Sequence, residues 1–238
     1  MKKDIKLSIA DYITLSNGIL GFLAITYIID TRYLAASIFI IVCILVDGLD
    51  GYVARRLKVE HTLGSYLDLI SDTISFSFAP AILTYSVYYD STLGRSWQSP
   101  INAMATFVPT VIVFFGVLRL SRFADKNDQK KSYKGIPTPL LAFFIINLTY
   151  IFGWGDGLSS RPYIVLPTIL LISFFLYTDL SYPKIREVNE ILIALIFLII
   201  SLLGLLLTDY TNLKNIFIGI SICVCLLYIS IGPIMVSK

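Results

Sequence analysis

The sequence predicts an all-α integral membrane protein, a bundle of about eight transmembrane helices with both termini in the cytoplasm. Three observations carry this: an apolar composition, apolar blocks of bilayer-crossing length, and a one-sided distribution of cations. Hydrophobic residues make up 56% of the 238 positions and charged residues only 15%, against about a quarter charged in soluble domains. Uncharged runs cover 12–29, 96–118, 135–155, 162–178, 191–208 and 215–237. Each is close to the roughly 20 residues a helix needs to cross hydrocarbon. Two further spans, 33–57 and 64–89, are apolar except for acidic residues near one end. Backbone groups in lipid must bond within their own segment, so apolar runs of this length are helices.

Cations set the orientation. If the eight spans alternate, fifteen fall on one side: Lys2, Lys3, Lys6, Arg55, Arg56, Lys58, Arg119, Arg122, Lys126, Lys130, Lys131, Lys134, Lys184, Arg186 and Lys238. Only four, Arg32, Arg95, Arg161 and Lys214, fall on the other. The positive-inside rule then puts both termini and the loops after spans two, four and six in the cytoplasm. The net charge of +3 reflects topology and anionic lipid at the inner surface, and nucleic acid is not an expected partner. The chain reads as one membrane-embedded domain, 1–238, placed in the cell membrane as a multi-pass protein. Its basic then apolar start reads as an uncleaved first helix, because the apolar stretch is too long for a signal peptide. Cys43, Cys223 and Cys225 all lie in spans and read as small buried hydrophobes. Trp97 and Trp154, near span ends, read as interfacial anchors. Pro80 and Pro167 fall inside spans, where prolines are tolerated and can kink a helix.

The unusual residues stand in DGLDGYVARRLKVEHTLGSYLDLISD, from Asp47 to Asp72. A carboxylate inside a membrane helix is costly unless it is paired, metal-bound or facing water. Asp47, Asp50, Gly51 and Ala54 stand at i, i+3, i+4 and i+7, one face of a helix. Gly64, Asp68 and Asp72 form a second stripe on the next span. With the loop between them the two helices run antiparallel, and the stripes face each other at the cytoplasmic boundary. Four converging carboxylates repel strongly. Divalent Mg²⁺ or Mn²⁺ resolves this, since both favour oxygen ligands and bridge carboxylates to phosphates. Gly51, Ala54 and Gly64 leave room for a bulky ligand near the backbone, and Arg55 would meet a phosphate oxygen. A two-metal clamp of this kind neutralises a pyrophosphate and stabilises a leaving phosphate. The acids of an ion transporter, the bland alternative, spread through the membrane depth; these gather at one edge.

Asp-x2-Asp-Gly-x2-Ala-Arg-x8-Gly-x3-Asp-x3-Asp, filled here at every fixed position, resembles the motif of CDP-alcohol phosphotransferases. At ordinary residue frequencies, chance matches arise on the order of once in 10¹⁰ start positions. The resemblance implies that Asp47, Asp50 and Asp68 bind metal, with Asp72 as general base and a further ligand. It also implies a cytidine nucleotide over Gly51, Ala54 and Gly64, and a homodimer.

Three more segments resemble the branch that makes phosphatidylserine or, on ether lipids, archaetidylserine. ITLSNGILGFLAI in the first helix is one, and there Thr14 and Asn17 are implied contacts of the CDP group. LRLSRFADKNDQKKSYKGIPTP and DLSYPKIR are the others. The branch often has Pro-Asn before the Thr where this chain has Ala10-Asp11, so the resemblance assigns no role to position 11. Arg119 and Arg122 are one helical turn apart at the end of span four and share a face. Their forks match a carboxylate or phosphate, which makes them candidate acceptor ligands. The surrounding lysines read as membrane anchoring. Gly135, Pro137 and Pro139 read as shaping the start of span five. His61, the only histidine, reads as a solvated loop residue. The implied reaction joins L-serine to a CDP-linked lipid and releases CMP. Another acceptor, such as glycerol phosphate or an inositol phosphate, would use the same catalytic helices.

Overall fold

The structure is a computed structural model that describes residues 7–57, 62–93, 99–124, 132–154, 161–183, 188–207 and 211–236. Helices dominate: α1 (Ile9–Ile29), α2 (Tyr33–Leu57), α3 (Thr62–Asp72), α4 (Ala79–Tyr88), α5 (Pro100–Ala124), α6 (Thr138–Thr149), α7 (Pro162–Phe174), α8 (Val188–Leu206) and α9 (Thr211–Val236). A π-helical segment, Thr73–Phe78, joins α3 to α4 into one rod, so the described residues form the eight rods expected from the apolar blocks. Five are long and apolar enough to cross a membrane, and shorter apolar helices cover Thr138–Trp154, Pro162–Tyr177 and Leu192–Leu206. Large side chains including Ile19, Phe22, Phe107, Phe114, Ile164 and Leu171 are exposed around the perimeter. Such an apolar surface suits lipid and is foreign to a soluble monomer.

Local chemistry explains the departures from plain helix. Ser8 and Asp11 cap α1 reciprocally: the Ser8 N–H donates to Asp11 Oδ2 at 2.6 Å, and the Asp11 N–H donates to Ser8 Oγ at 3.2 Å. The expected third span is not regular. Pro80 has no N–H to offer the Phe76 carbonyl, and in the π segment just before it the Ala79 N–H donates to Ile74, five residues back. A π turn next to Asp72 is common company for a functional residue. Gly135 takes φ +71°, and a Cβ there would run into the Leu176 carbonyl. Pro137 then caps α6, with Pro139 in its first turn. These residues do shape the start of span five.

Close approach between rods rests on small residues. A Cβ on Gly18 of α1 would stand 2.9 Å from Ser71 Oγ, and one on Gly21 would collide with Ser75. Gly116 of α5 meets Ser77 in the same way. Small residues at a crossing let membrane helices bring their backbones together. Farther along, Ser201 of α8 donates to Asn147 Oδ1 of α6 at 2.7 Å, both fully buried.

One end of the bundle is tied by a feature the spans did not announce. Two short antiparallel strands, β1 (Ser132–Lys134) and β2 (Ser181–Pro183), pair Tyr133 with Tyr182. Tyr182 is fully buried, its hydroxyl donates to the Ile229 carbonyl at 3.2 Å, and Tyr228 donates to the Pro183 carbonyl at 2.9 Å. The loops after α5 and α7 and the last turns of α9 therefore meet at one end. Cys43 and Cys225 are buried as expected, whereas Cys223 is exposed on the outer face of α9, where lipid tolerates it equally well. Trp97 lies outside the described residues. Trp154 packs inward against Tyr150, ring centroids 4.7 Å apart, because its π turn folds over that ring.

Gly21→Val should lower Tm in detergent by roughly 3–10 °C, the effect of about 1–3 kcal/mol of overpacking. Gly219→Ala, whose Cβ meets nothing within 4 Å, should leave Tm unchanged or raise it slightly. An unchanged Tm for Gly21→Val would contradict the close seat of α1 on the π segment.

Candidate active site

Helix α2 carries Asp47, Asp50, Gly51 and Ala54 in its last turns, and α3 carries Gly64, Asp68 and Asp72. The two stripes meet as their spacing requires. Asp47, Asp50 and Asp68 each offer a carboxylate oxygen within 4.8 Å of the others'. Asp50 is buried, while Asp47 and Asp68 keep partial exposure. Asp72 is buried one turn deeper and stands outside that trio. Gly51, Ala54 and Gly64 are half-buried along the same helices, and the Arg55 side chain and His61 lie outside the described residues.

Helix α1 completes the site from below. Its buried stripe includes Thr14, Asn17, Gly18 and Gly21. The Thr14 hydroxyl donates to Asp50 Oδ2 at 2.7 Å, with the Ala10 carbonyl at 3.1 Å, and Asn17 Nδ2 donates to Asp72 Oδ1 at 3.0 Å. The backbone carbonyl of Asn17 accepts from Ser75 Oγ at 3.0 Å and from Cys43 Sγ at 3.5 Å. The polar tips of both α1 residues thus end on carboxylates. Ser75 and Cys43 were not legible as contributors, because serine and cysteine within an apolar span look like small packing residues. The Ser8-x-x-Asp11 spacing, by contrast, is a visible capping pattern.

The two arginines part company. Arg119 is buried, donates to Thr138 Oγ1 at 3.1 Å, and stands close enough for its charge to act on Asp47, Asp68 and Asp72. Arg122 is exposed, with its guanidinium carbon 3.7 Å from the centre of the Tyr177 ring, a cation–π contact. A spacing of three residues brings two side chains to adjoining positions, but α5 ends against the start of α6 on one flank and against Tyr177 on the other. Thr138, which seats Arg119, carried no signal in the sequence beyond its place in GIPTP. Lys134 is exposed at the same end; Lys126, Lys130 and Lys131 lie outside the described residues.

Three carboxylates this close repel by about 4 kcal/mol per pair near 4 Å, even at an effective dielectric of 20. The donor set is oxygen alone, which suits a hard divalent cation such as Mg²⁺ or Mn²⁺ and disfavours zinc or copper. The cluster can therefore hold a metal ion and, through it, a phosphate. Arg119 adds a fixed positive charge on the α5 side.

Comparison with known proteins adds independent findings. The family model for CDP-alcohol phosphatidyltransferase matches residues 7–178, which run from α1 through α7. Archaetidylserine synthase of Methanothermobacter thermautotrophicus is 34% identical over 181 residues, covering 75% of this chain and 71% of that protein. CDP-diacylglycerol–serine O-phosphatidyltransferase of Methanocaldococcus jannaschii is 29% identical over 200 residues, covering 84% and 85%. The protein of the same name from Helicobacter pylori is 26% identical over 212 residues, covering 87% and 84%.

Asp68→Asn keeps the shape and removes one charge from the cluster. It should weaken Mn²⁺ binding, read by the loss of the free-ion EPR signal, by at least about tenfold. The variant should still elute as a folded species in detergent. Parent affinity in folded Asp68→Asn would contradict a metal role for the trio.

Proposed function

The chain belongs to the CDP-alcohol phosphatidyltransferase family, and on that premise we propose that it transfers the phosphatidyl-type group of a CDP-linked lipid to L-serine. The product is phosphatidylserine from CDP-diacylglycerol, or archaetidylserine from CDP-archaeol, with release of CMP. The observation that carries this reading is the meeting of Asp47, Asp50 and Asp68 within 4.8 Å, one turn from a buried Asp72 that keeps its own hydrogen-bond donor. Relatives named for serine transfer support the choice of acceptor.

In this reading Asp47, Asp50 and Asp68 would hold Mg²⁺ or Mn²⁺ in a two-metal site, and Asp72, which stands outside that trio, is left to act as the base. Such ions, when bound, neutralise the pyrophosphate and polarise the phosphorus. The small faces of Gly51, Ala54 and Gly64 admit the CDP group beside α2 and α3, with Arg55 toward its phosphates and Thr14 and Asn17 beneath. The lipid tails stay in the bilayer. Arg119 receives the serine carboxylate by charge-assisted hydrogen bonds, holding the hydroxyl near Asp72. Asp72 takes the hydroxyl proton, the serine oxygen forms a bond to the lipid-side phosphorus, and the bond from that phosphorus to the bridging oxygen breaks. CMP leaves with the bridging oxygen and its electron pair. Holding both reactants in one geometry supplies much of the rate. Arg122, already engaged on Tyr177, takes a supporting place at the rim. The fifteen-to-four cation split supports an active site at the cytoplasmic face of the cell membrane, and the family resemblance supports a homodimer.

The test is CMP release by the purified chain with Mn²⁺, a CDP-lipid and each acceptor in turn. L-serine should give the high rate; glycerol 3-phosphate or an inositol phosphate giving it, with L-serine silent, would overturn the acceptor assignment. Arg119→Ala should raise the KM for L-serine about tenfold or more, the loss of a hydrogen bond to a charged group, while the KM for CDP-lipid changes less.

A further inference from the structure

The first helix does more than pack. The two polar residues at the centre of its buried stripe each end on a different carboxylate: Thr14 on Asp50 at 2.7 Å, Asn17 on Asp72 at 3.0 Å. We propose that Thr14 and Asn17 are positioning residues with divided tasks, Thr14 fixing the metal-binding carboxylate Asp50 and Asn17 fixing the base Asp72. The proposal rests on the serine-transfer reading and departs from a direct contact of either residue with the CDP group.

Four features carry it. Both side chains are buried, Asn17 completely and Thr14 to 6% exposure, with their donors turned to the aspartates. Asn17 is pinned at its backbone, since its carbonyl accepts from Ser75 and Cys43 on the two catalytic rods. The close seats of Gly18 on Ser71 and Gly21 on Ser75 bring α1 near enough for short side chains to reach. Finally, Asn17 Oδ1 is buried with no hydrogen-bond partner among the described residues. A reversed amide would set oxygen against the Asp72 carboxylate, so the amide's orientation answers to Asp72 alone, and an unsatisfied acceptor is left behind. Such an orphan calls for an explanation, and the donor it makes available to Asp72 is that explanation. With Oδ1 of Asp72 occupied by the amide, Oδ2 is the oxygen that takes the serine proton.

The experiment uses the full chain in detergent with Mn²⁺, CDP-lipid and L-serine. It reads kcat, both KM values, and Mn²⁺ affinity by EPR without substrate. Asn17→Leu, close to asparagine in outline, should lower kcat by about 10–100-fold. Its KM for both substrates and its Mn²⁺ affinity should stay within about twofold. Asn17→Ser, which also lacks the amide, serves the same purpose if the leucine variant does not fold. Thr14→Val should weaken Mn²⁺ binding by about tenfold or more. An Asn17 variant turning over at the parent rate, or one whose loss lies only in the KM for CDP-lipid, overturns the Asn17 assignment. Parent Mn²⁺ affinity in Thr14→Val overturns the Thr14 assignment. A parent chain that releases no CMP with any alcohol strikes the serine-transfer reading and the Asn17 half with it, while the Mn²⁺ measurement still decides the Thr14 half.

Discussion

The mutual repulsion of carboxylates held inside a membrane bundle is the constraint on which the rest of this structure depends. Asp47, Asp50 and Asp68 meet within 4.8 Å, and Asp72 is buried beside them. Lipid offers nothing to offset their charge. Each must find a cation, a donor or water. Arg119, Thr14 and Asn17 answer part of that need from α5 and α1. A divalent cation held by the trio would answer the remainder, and where a cation bridges carboxylates a phosphate can follow.

The scaffold is arranged around that need. Three rods must converge closely for short polar side chains to reach the acids, and the glycine–serine seats at Gly18, Gly21 and Gly116 permit it. The π segment after Asp72 widens the third rod ahead of Pro80 and turns Ser75 and Ser77 toward α1 and α5. The β1–β2 pairing, with Tyr182 and Tyr228 reaching across to α9 and Pro183, closes the end of the molecule where the acids lie. It also ties the last helix, beyond the family match, to the loops that follow α5 and α7.

Much of this was legible in the sequence, because the signals are strong and local. The second span is helical from Tyr33 through Leu57 as expected, since a long apolar run flanked by charge has little freedom. The acid stripes were legible because helical spacing alone decides which residues share a face. What escaped depends on contacts distant in sequence or on backbone detail. The β1–β2 pair joins segments of three residues some 50 positions apart, too short for any periodicity to mark them. The π turn depends on how Pro80 is accommodated, which the presence of a proline does not specify. Arg119 and Arg122 looked equivalent at a spacing of three; only the packing of Thr138 and Tyr177 distinguishes them. Thr14 and Asn17 were singled out by resemblance, but that they face aspartates depends on how closely α1 is seated.

The most direct test of the central claim, that these helices converge to make a divalent-metal site, is the position of the ion itself. Crystals grown in a lipid phase with Mn²⁺ should give an anomalous peak at the manganese edge among Asp47, Asp50 and Asp68, within about 2.0–2.6 Å of their carboxylate oxygens, as hard cations lie in oxygen cages. An anomalous map with manganese bound elsewhere, or a trio whose oxygens contact no ion at saturating Mn²⁺, would contradict it.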